Sequence, residues 1–500
     1  MRVRKILCSC LKNIPMMAVA FFSHVVYAIS LQDMPEEFDR FGSAVAIGDF
    51  NRDGFDDLAI GVPGEDNDTG MIHVIYGGRG SGGRLGAGGQ RVFKQYIFDL
   101  PESGDKFGSV LTAGDFNGDG FDDLAIGVPS EDLGSIVDAG MFVVIRGGFN
   151  GLSAFSYQKW SRRSPGILFN PPAGGDRFSE SLISADFNQD GYDDIAVGVP
   201  GDNSVHLIYG SPFVGLRAAG NERVDGNWLF APGVTISEFG TRVVAGDFNC
   251  NGYPDLAVSS FDNFSGAGAV STFLDIGTGV VYGNVLHRGL PGIEGGNEGV
   301  TRFGISLAAG NINGDACEDL VVGVWEEGSG PIEERDGAIN VLYGTQSGLS
   351  LANDEHWIAF ADDTPHNDFG LAAAIGDFNN SGYGDVAVGV VSANIDTLRP
   401  FDGFMAGAVQ VQYASSSGLN STNFDFFHED SPGVGDFAFT ADHFGQVLAS
   451  GDFNNDGYDD LVVGVPASYI PPTIVVAGVV HVIYGSGSGL NLFDNQVFTQ

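Results

Sequence analysis

Residues 49–57 read "DFNRDGFDD" and place Asp49, Asn51 and Asp53 at alternate positions 1, 3 and 5, Gly54 at position 6 and Asp57 at position 9. Side-chain oxygens spaced in this way, with the backbone carbonyl of Phe55 at position 7, make a hard, oxygen-only cage suited to Ca2+. The glycine supplies a sharp turn that other residues adopt only at a cost. Without an ion, carboxylates so crowded would repel one another. With one, they bind the two ends of the loop together.

The pattern recurs in fixed register. Asp115, Asn117, Asp119, Phe121 and Asp123 make a second copy, and Asp186, Asn188, Asp190, Tyr192 and Asp194 a third. Asp247, Asn249, Asn251, Tyr253 and Asp255 make the fourth, Asp377, Asn379, Ser381, Tyr383 and Asp385 the sixth, and Asp452, Asn454, Asp456, Tyr458 and Asp460 the seventh. The fifth, "NINGDACED", carries Asn311, Asn313, Asp315 and Asp319 but has Ala316 in place of the turn glycine. Up to seven Ca2+ sites are expected, and they are unequal. Loops one, two, three and seven offer three carboxylates each, loops four and six offer two, and loop five is the weakest.

The elements that hold these loops follow from the flanking residues. Each loop starts eight residues after the Phe of a Phe–small pair: Phe41-Gly42, Phe107-Gly108, Phe178-Ser179, Phe239-Gly240, Phe303-Gly304, Phe369-Gly370 and Phe444-Gly445. A core of constant length joined by connections of varying length marks a repeated structural unit. In the first unit "FGSAVAIGDF" reads as one strand and "DDLAIGVP" as a second, buried on both faces. "GMIHVIYG" is a third strand and "QRVFKQYIFD" a weaker fourth. The acidic loop is thus the hairpin between the first two strands. Four antiparallel strands repeated seven times predict an all-β, seven-bladed propeller. Its 76 glycines, about twice the usual share, fit a chain with that many turns.

The ends of the chain complement each other. "NQVFTQ" at 495–500 matches "QRVFKQ" at 90–95, and "ISLQDMPEEFDRFG" from Ile29 matches "QYIFDLPESGDKFG". A ring sealed by its terminal segments at one blade explains this and leaves no open sheet edge; a linear stack does not. Residues 29–500 are therefore expected to form a single propeller.

Residues 1–28, with Arg2, Arg4 and Lys5 before an apolar run and Ala28 at a candidate cleavage site, read as a secretory signal peptide. The run from Asn13 to Ala28 is short of the ~20 residues a bilayer requires. Secretion is expected, and a membrane span is not. The chain carries 64 acidic against 23 basic residues, a net charge of −41 that argues against nucleic acid or anionic membrane as partners. Beyond the leader only Cys250 and Cys317 remain. Because they sit at different positions of loops on neighbouring units, no bridge between them is expected.

The Phe-Gly pair, the acidic hairpin and the "GVP" that closes the second strand resemble FG-GAP repeats, the units of the integrin α-subunit head propeller. The resemblance implies Ca2+ sites on one face of a ring and ligand-contacting loops on the other. It runs from Phe41 to the C-terminus, without the leg domains or transmembrane helix of a receptor subunit, and so is similar to a stand-alone secreted protein. An extracellular recognition or adhesion module is the expectation; the alternative is a secreted carbohydrate-binding or polysaccharide-acting propeller. The partner expected is an extracellular protein or glycan.

No enzyme is expected. There is no HExxH or G-x-S-x-G motif, and His73, His206 and His481 occupy the same strand position in three different units. Ligand contacts are expected on the long loops between second and third strands of units five to seven (325–336, 391–406 and 467–477), with Arg399, Phe401, Tyr469 and Ile470 as the contacting side chains.

Overall fold

In a computed structural model of the chain, the structure describes residues 29–30, 35–80, 83–167, 171–226, 237–261, 266–275, 281–294, 301–327, 336–352, 354–359, 367–395, 404–470 and 475–500. The expected leader and Arg399 and Phe401 lie outside them. Unit one forms a sheet of Ala44–Gly48, Asp57–Val62, Met71–Tyr76 and Gly89–Lys94, paired antiparallel in chain order. Six further sheets repeat this arrangement, so the fold is a seven-bladed all-β propeller. The fourth strand of unit one ends earlier than its sequence suggests. Gln95 opens a 3-10 turn there and bends inward, where its amide donates to Asp105 Oδ2 at 2.7 Å and to Glu131 Oε2 at 3.1 Å.

Each first strand touches the first strands of both neighbouring blades, so these seven strands line the axis. The second strands lie one layer out, sandwiched between blades. Every residue of Asp57–Val62, and of its counterparts in blades two, three, four, six and seven, is buried. This explains their unbroken apolar runs: neither face meets water. Seven hydrophobic clusters fill the seven junctions between blades.

The Phe–small pair stitches each junction. All seven Phe side chains are fully buried. Phe107 donates its N–H to Thr69 O of the preceding unit at 3.0 Å, while Gly108 donates to Gly127 O of its own second strand at 3.2 Å. Gly108 takes φ +86, and a Cβ on Gly61 of the previous blade would collide with its carbonyl oxygen. Two backbones can approach this closely only where both lack side chains.

The ring closes through its ends. Asn495–Thr499 forms the fourth strand of blade seven, opposite Val479–Ile483, and Ile29–Ser30 adds to it in parallel, Ile29 beside Phe498. Val497 and Phe498 are buried, as the match with Val92 and Phe93 implies.

Candidate metal centres

The hairpins between first and second strands stand together on one end of the ring. In the first, Asp49 is held by its own loop: Oδ1 accepts the Asp53 N–H at 3.0 Å and Oδ2 the Gly54 N–H at 2.9 Å. Gly54 takes φ +86, the left-handed turn its type was expected to supply. Phe50 at position 2 is fully buried and anchors the loop to the core. Asp57 at position 9 fixes the other side, accepting the Phe50 N–H at 3.0 Å and the Gly77 N–H from the end of the third strand at 2.8 Å. Three strand ends thus converge on one carboxylate. Position-9 acids of the other six hairpins accept an equivalent third-strand N–H: Asp123, Asp194, Asp255, Asp319, Asp385 and Asp460 bond Gly147, Gly210, Asp275, Gly344, Ala414 and Gly485.

These acids are buried among their own kind. Desolvation, reinforced by the carboxylates at positions 1 and 5, pushes Asp57, Asp194 and Asp460 up to about 8. Desolvation likewise raises Asp123, Asp255 and Asp385 to about 7 and Asp319 to about 6. The position-3 amide oxygens of Asn249 and Asn454 are buried with no hydrogen-bond partner. An acceptor left in that state costs ~1–3 kcal/mol unless something positive faces it. The donor set is oxygen only, clustered and short of countercharge, and it fits a hard divalent cation.

Loop five is closed differently. Asn311 turns its amide to the Asp315 carbonyl at 2.6 Å, a bond that none of the six aspartates at position 1 can make. Ala316 does not enter the left-handed region that Gly54, Gly120, Gly191, Gly252, Gly382 and Gly457 adopt. This hairpin has a closing bond of its own and a poorer donor set than the other six.

Cys250 and Cys317 form a disulfide, with Cα atoms 4.4 Å apart, contrary to the sequence-based expectation. The reason lies in how neighbouring hairpins lean. Position 4 of one loop reaches the tip of the next: Arg52 donates to Asp119 O at 3.1 Å and its guanidinium lies 6.0 Å from the Phe121 ring, and Asn455 donates to Gly54 O at 2.7 Å. Cys250 holds position 4 of loop four and Cys317 position 7 of loop five. The two positions differ in number because they face each other in space.

A second set of acids escaped the sequence reading. Asp122, at position 8 of loop two, accepts the N–H of Asp49 in loop one at 2.9 Å. Asp193 does the same for Asp115, Glu318 for Asp247, Asp459 for Asp377 and Asp56 for Asp452. The return bond runs between backbones, Asp122 N–H to Asp49 O at 3.3 Å. Loops four and six have Pro254 and Gly384 at this position, so five of seven junctions carry the clasp. Its signal was the doubled acid in "FDD", read only for its second member.

The three histidines stand apart, one on each of three blades. All are buried, packed edge-on against the Phe that opens their own unit: Phe41–His73 at 5.5 Å between centroids, Phe178–His206 at 5.9 Å and Phe444–His481 at 5.3 Å. On the end of the ring opposite the hairpins, Tyr469–Ile470 pairs with Val475–Val476 in a small hairpin of its own. Tyr469 lines a cavity of 570 Å3 with Phe38, Arg40, His443, Gln446 and Val476. Among the described residues no helix is long and apolar enough to cross a membrane.

These features define a class: a closed ring of blades, each opened by a buried Phe–small pair and carrying an acidic hairpin. The FG-GAP repeat family model matches residues 41–75, 107–145, 178–215 and 444–483, the four units whose hairpins carry three carboxylates. Integrin alpha-PS5 of Drosophila melanogaster is 33% identical over 176 residues, 34% of this chain and 16% of the relative. Integrin alpha-V of Gallus gallus is 30% identical over 233 residues, 44% of this chain and 20% of the relative. The chain is therefore an integrin-α-like FG-GAP propeller, and its matches span a fifth or less of the length of these relatives. The solved Dos1 propeller aligns with a TM-score of 0.39 at 12% identity, over 90% of this chain and 84% of that one, and nothing further rests on it.

Proposed function

We propose that this protein is a secreted, calcium-stabilised recognition or adhesion propeller. The observation that carries the reading is the set of six hairpins that share one turn and one oxygen donor pattern, with buried acceptors left short of positive charge. In the first hairpin Asp49, Asn51, Asp53, the Phe55 carbonyl and Asp57 would hold the ion, and the corresponding residues would do so in the others. Bound Ca2+ supplies fixed positive charge where three strand ends meet, so its role is mechanical and not catalytic. Binding to the folded state alone stabilises it by mass action. By resemblance to integrin α heads, ligand would meet the face opposite the hairpins, where Tyr469 and the neighbouring cavity lie.

Thermal melting in chelator and in millimolar Ca2+ tests the first half. Calcium is expected to raise the melting temperature, magnesium to substitute poorly, and Asp119→Ala to remove one ion from the stoichiometry while Asp315→Ala removes none. Superimposable curves in chelator and calcium refute the calcium role. Immobilised protein exposed to extracellular proteins and to a glycan array tests the second. A protein ligand bound in calcium and lost in Tyr469→Ala supports the reading; sugar binding alone favours the lectin-like alternative.

A further inference from the structure

At the junction between blades six and seven, an acid stands where blades one, two and seven have a hydrogen-bond donor. Two positions beyond the fourth-strand residues paired with Ile72, Phe142 and Val480, blade one has Gln95, blade two Arg162 and blade seven Gln500. Each gives donors to nearby acids, all but Asp202 buried: Gln95 to Asp105 and Glu131, Arg162 to Asp176 and Asp202, Gln500 to Glu65 at 2.6 Å. Asp105 and Asp176 both stand two residues before the Phe of the next unit. Blade six has Glu429 at the donor position, and Asp442, two residues before Phe444, is the acid that a donor would have met. Both side chains are buried.

Neither ring nitrogen of His481 has a hydrogen-bond partner, and no N–H donor reaches Glu429, whose carboxyl lies against that of Asp442, although the His481 and Glu429 side chains are fully buried. His481 Nε2 lies 3.8 Å from Glu429 Oε1, and with a carboxylate oxygen of Asp436 these donor atoms lie within 4.8 Å of one another. Tetrahedral coordination at ~2.0–2.2 Å puts donor atoms roughly 3.3 Å apart, so small rotations of the three side chains close the site. Asp436 is half-buried and gives the ion a way in. One imidazole and two carboxylates suit a borderline divalent ion such as Zn2+ better than Ca2+, which takes oxygen alone.

We infer that Glu429, Asp436 and His481 bind a divalent transition-metal ion of the zinc type at the junction of blades six and seven, a site separate from the calcium hairpins.

The test is metal analysis of the full chain after dialysis against trace Zn2+ with the hairpins kept saturated by millimolar Ca2+. About one tightly held zinc per chain is expected in the parent protein. Glu429→Gln recreates the residue that blade one has as Gln95, and His481→Gln the residue that blade six has as Gln410, so both are chosen to fold. Each should lower zinc affinity at least tenfold with calcium content unchanged. Absence of stoichiometric zinc in the parent, or zinc retained in both variants, overturns the inference. Because calcium is held constant, that failure is distinct from failure of the calcium hairpins.

Discussion

Asp122 is held by a hydrogen bond and His206 by burial alone, and each gives a measurable consequence. Asp122 accepts the Asp49 N–H across a blade junction, so Asp122→Ala strands a partly buried backbone donor and should cost ~1 kcal/mol. Asp122→Asn keeps an acceptor oxygen and should cost much less; equal losses in denaturant titrations of the two variants would show that the clasp is not what matters. His206 makes no hydrogen bond, and burial followed by the nearby Arg162 and Arg223 holds it down to about 3, against the weaker pull of Asp202. An unfolded histidine takes up a proton near 6.5. Its contribution is thus fully present above that pH and is lost as pH falls, by roughly 2 kcal/mol at pH 5. Between pH 7 and 5, His206→Gln should lose that much less stability than the parent. Of these residues the sequence made the histidine legible as structural, because its strand position repeats in His73 and His481. The position-8 acids were hidden by adjacency: Asp122 stands beside Asp123, and a ligand pattern that already explains one acid of a pair hides the other.

At the scale of the hairpin, the same nine-residue element is used in two ways. Where it has a position-6 glycine and clustered acids, its donor set fits an ion; in loop five it closes on the Asn311–Asp315 bond instead. That loop is tied to loop four, which has only two carboxylates, by the Cys250–Cys317 disulfide. A covalent link thus stands in the sector where the acidic ligands are fewest. The bridge encloses a sequence separation of 67 residues, for which chain entropy gives about 4 kcal/mol as an upper figure. Cys250→Ser should lower stability by ~2–4 kcal/mol in oxidising buffer and make no difference once the parent is reduced. An unchanged unfolding midpoint in oxidising buffer would mean the two hairpins are held by the Glu318 clasp alone. The hairpins, strand order and turn glycines were all readable from spacing. The bridge was not, because spacing within one unit says nothing of the offset with which blades lean. Arg52 on Asp119 and Asn455 on Gly54 reveal that offset only once the ring is assembled.

At the scale of the ring, the seven blades form a cycle of like junctions, and the one at the seam depends on residues distant in sequence. Phe41 donates to Ala477 O at 2.7 Å, the Asp452 N–H to Asp56 at 3.0 Å, and Phe498 shares its cluster with Phe41, Ile60 and Val480. The seam could be anticipated because 495–500 repeats 90–95, so the sequence itself states which strand it becomes. The parallel addition of Ile29–Ser30 outside that strand had no precedent in the repeat. Deleting residues 495–500 removes the fully buried Phe498, a side chain whose loss alone is worth ~3–5 kcal/mol. It also exposes the hydrogen-bonding edge of Val479–Ile483, a template for pairing with other chains. The truncated protein should therefore melt well below the parent and form oligomers in light scattering as it is concentrated. Calcium should narrow the gap only in part, since the hairpins brace the opposite end of the blade from the strand's last residues. A truncated chain that melts with the parent and stays monomeric would mean that the hairpin clasps close the ring without its terminal strand.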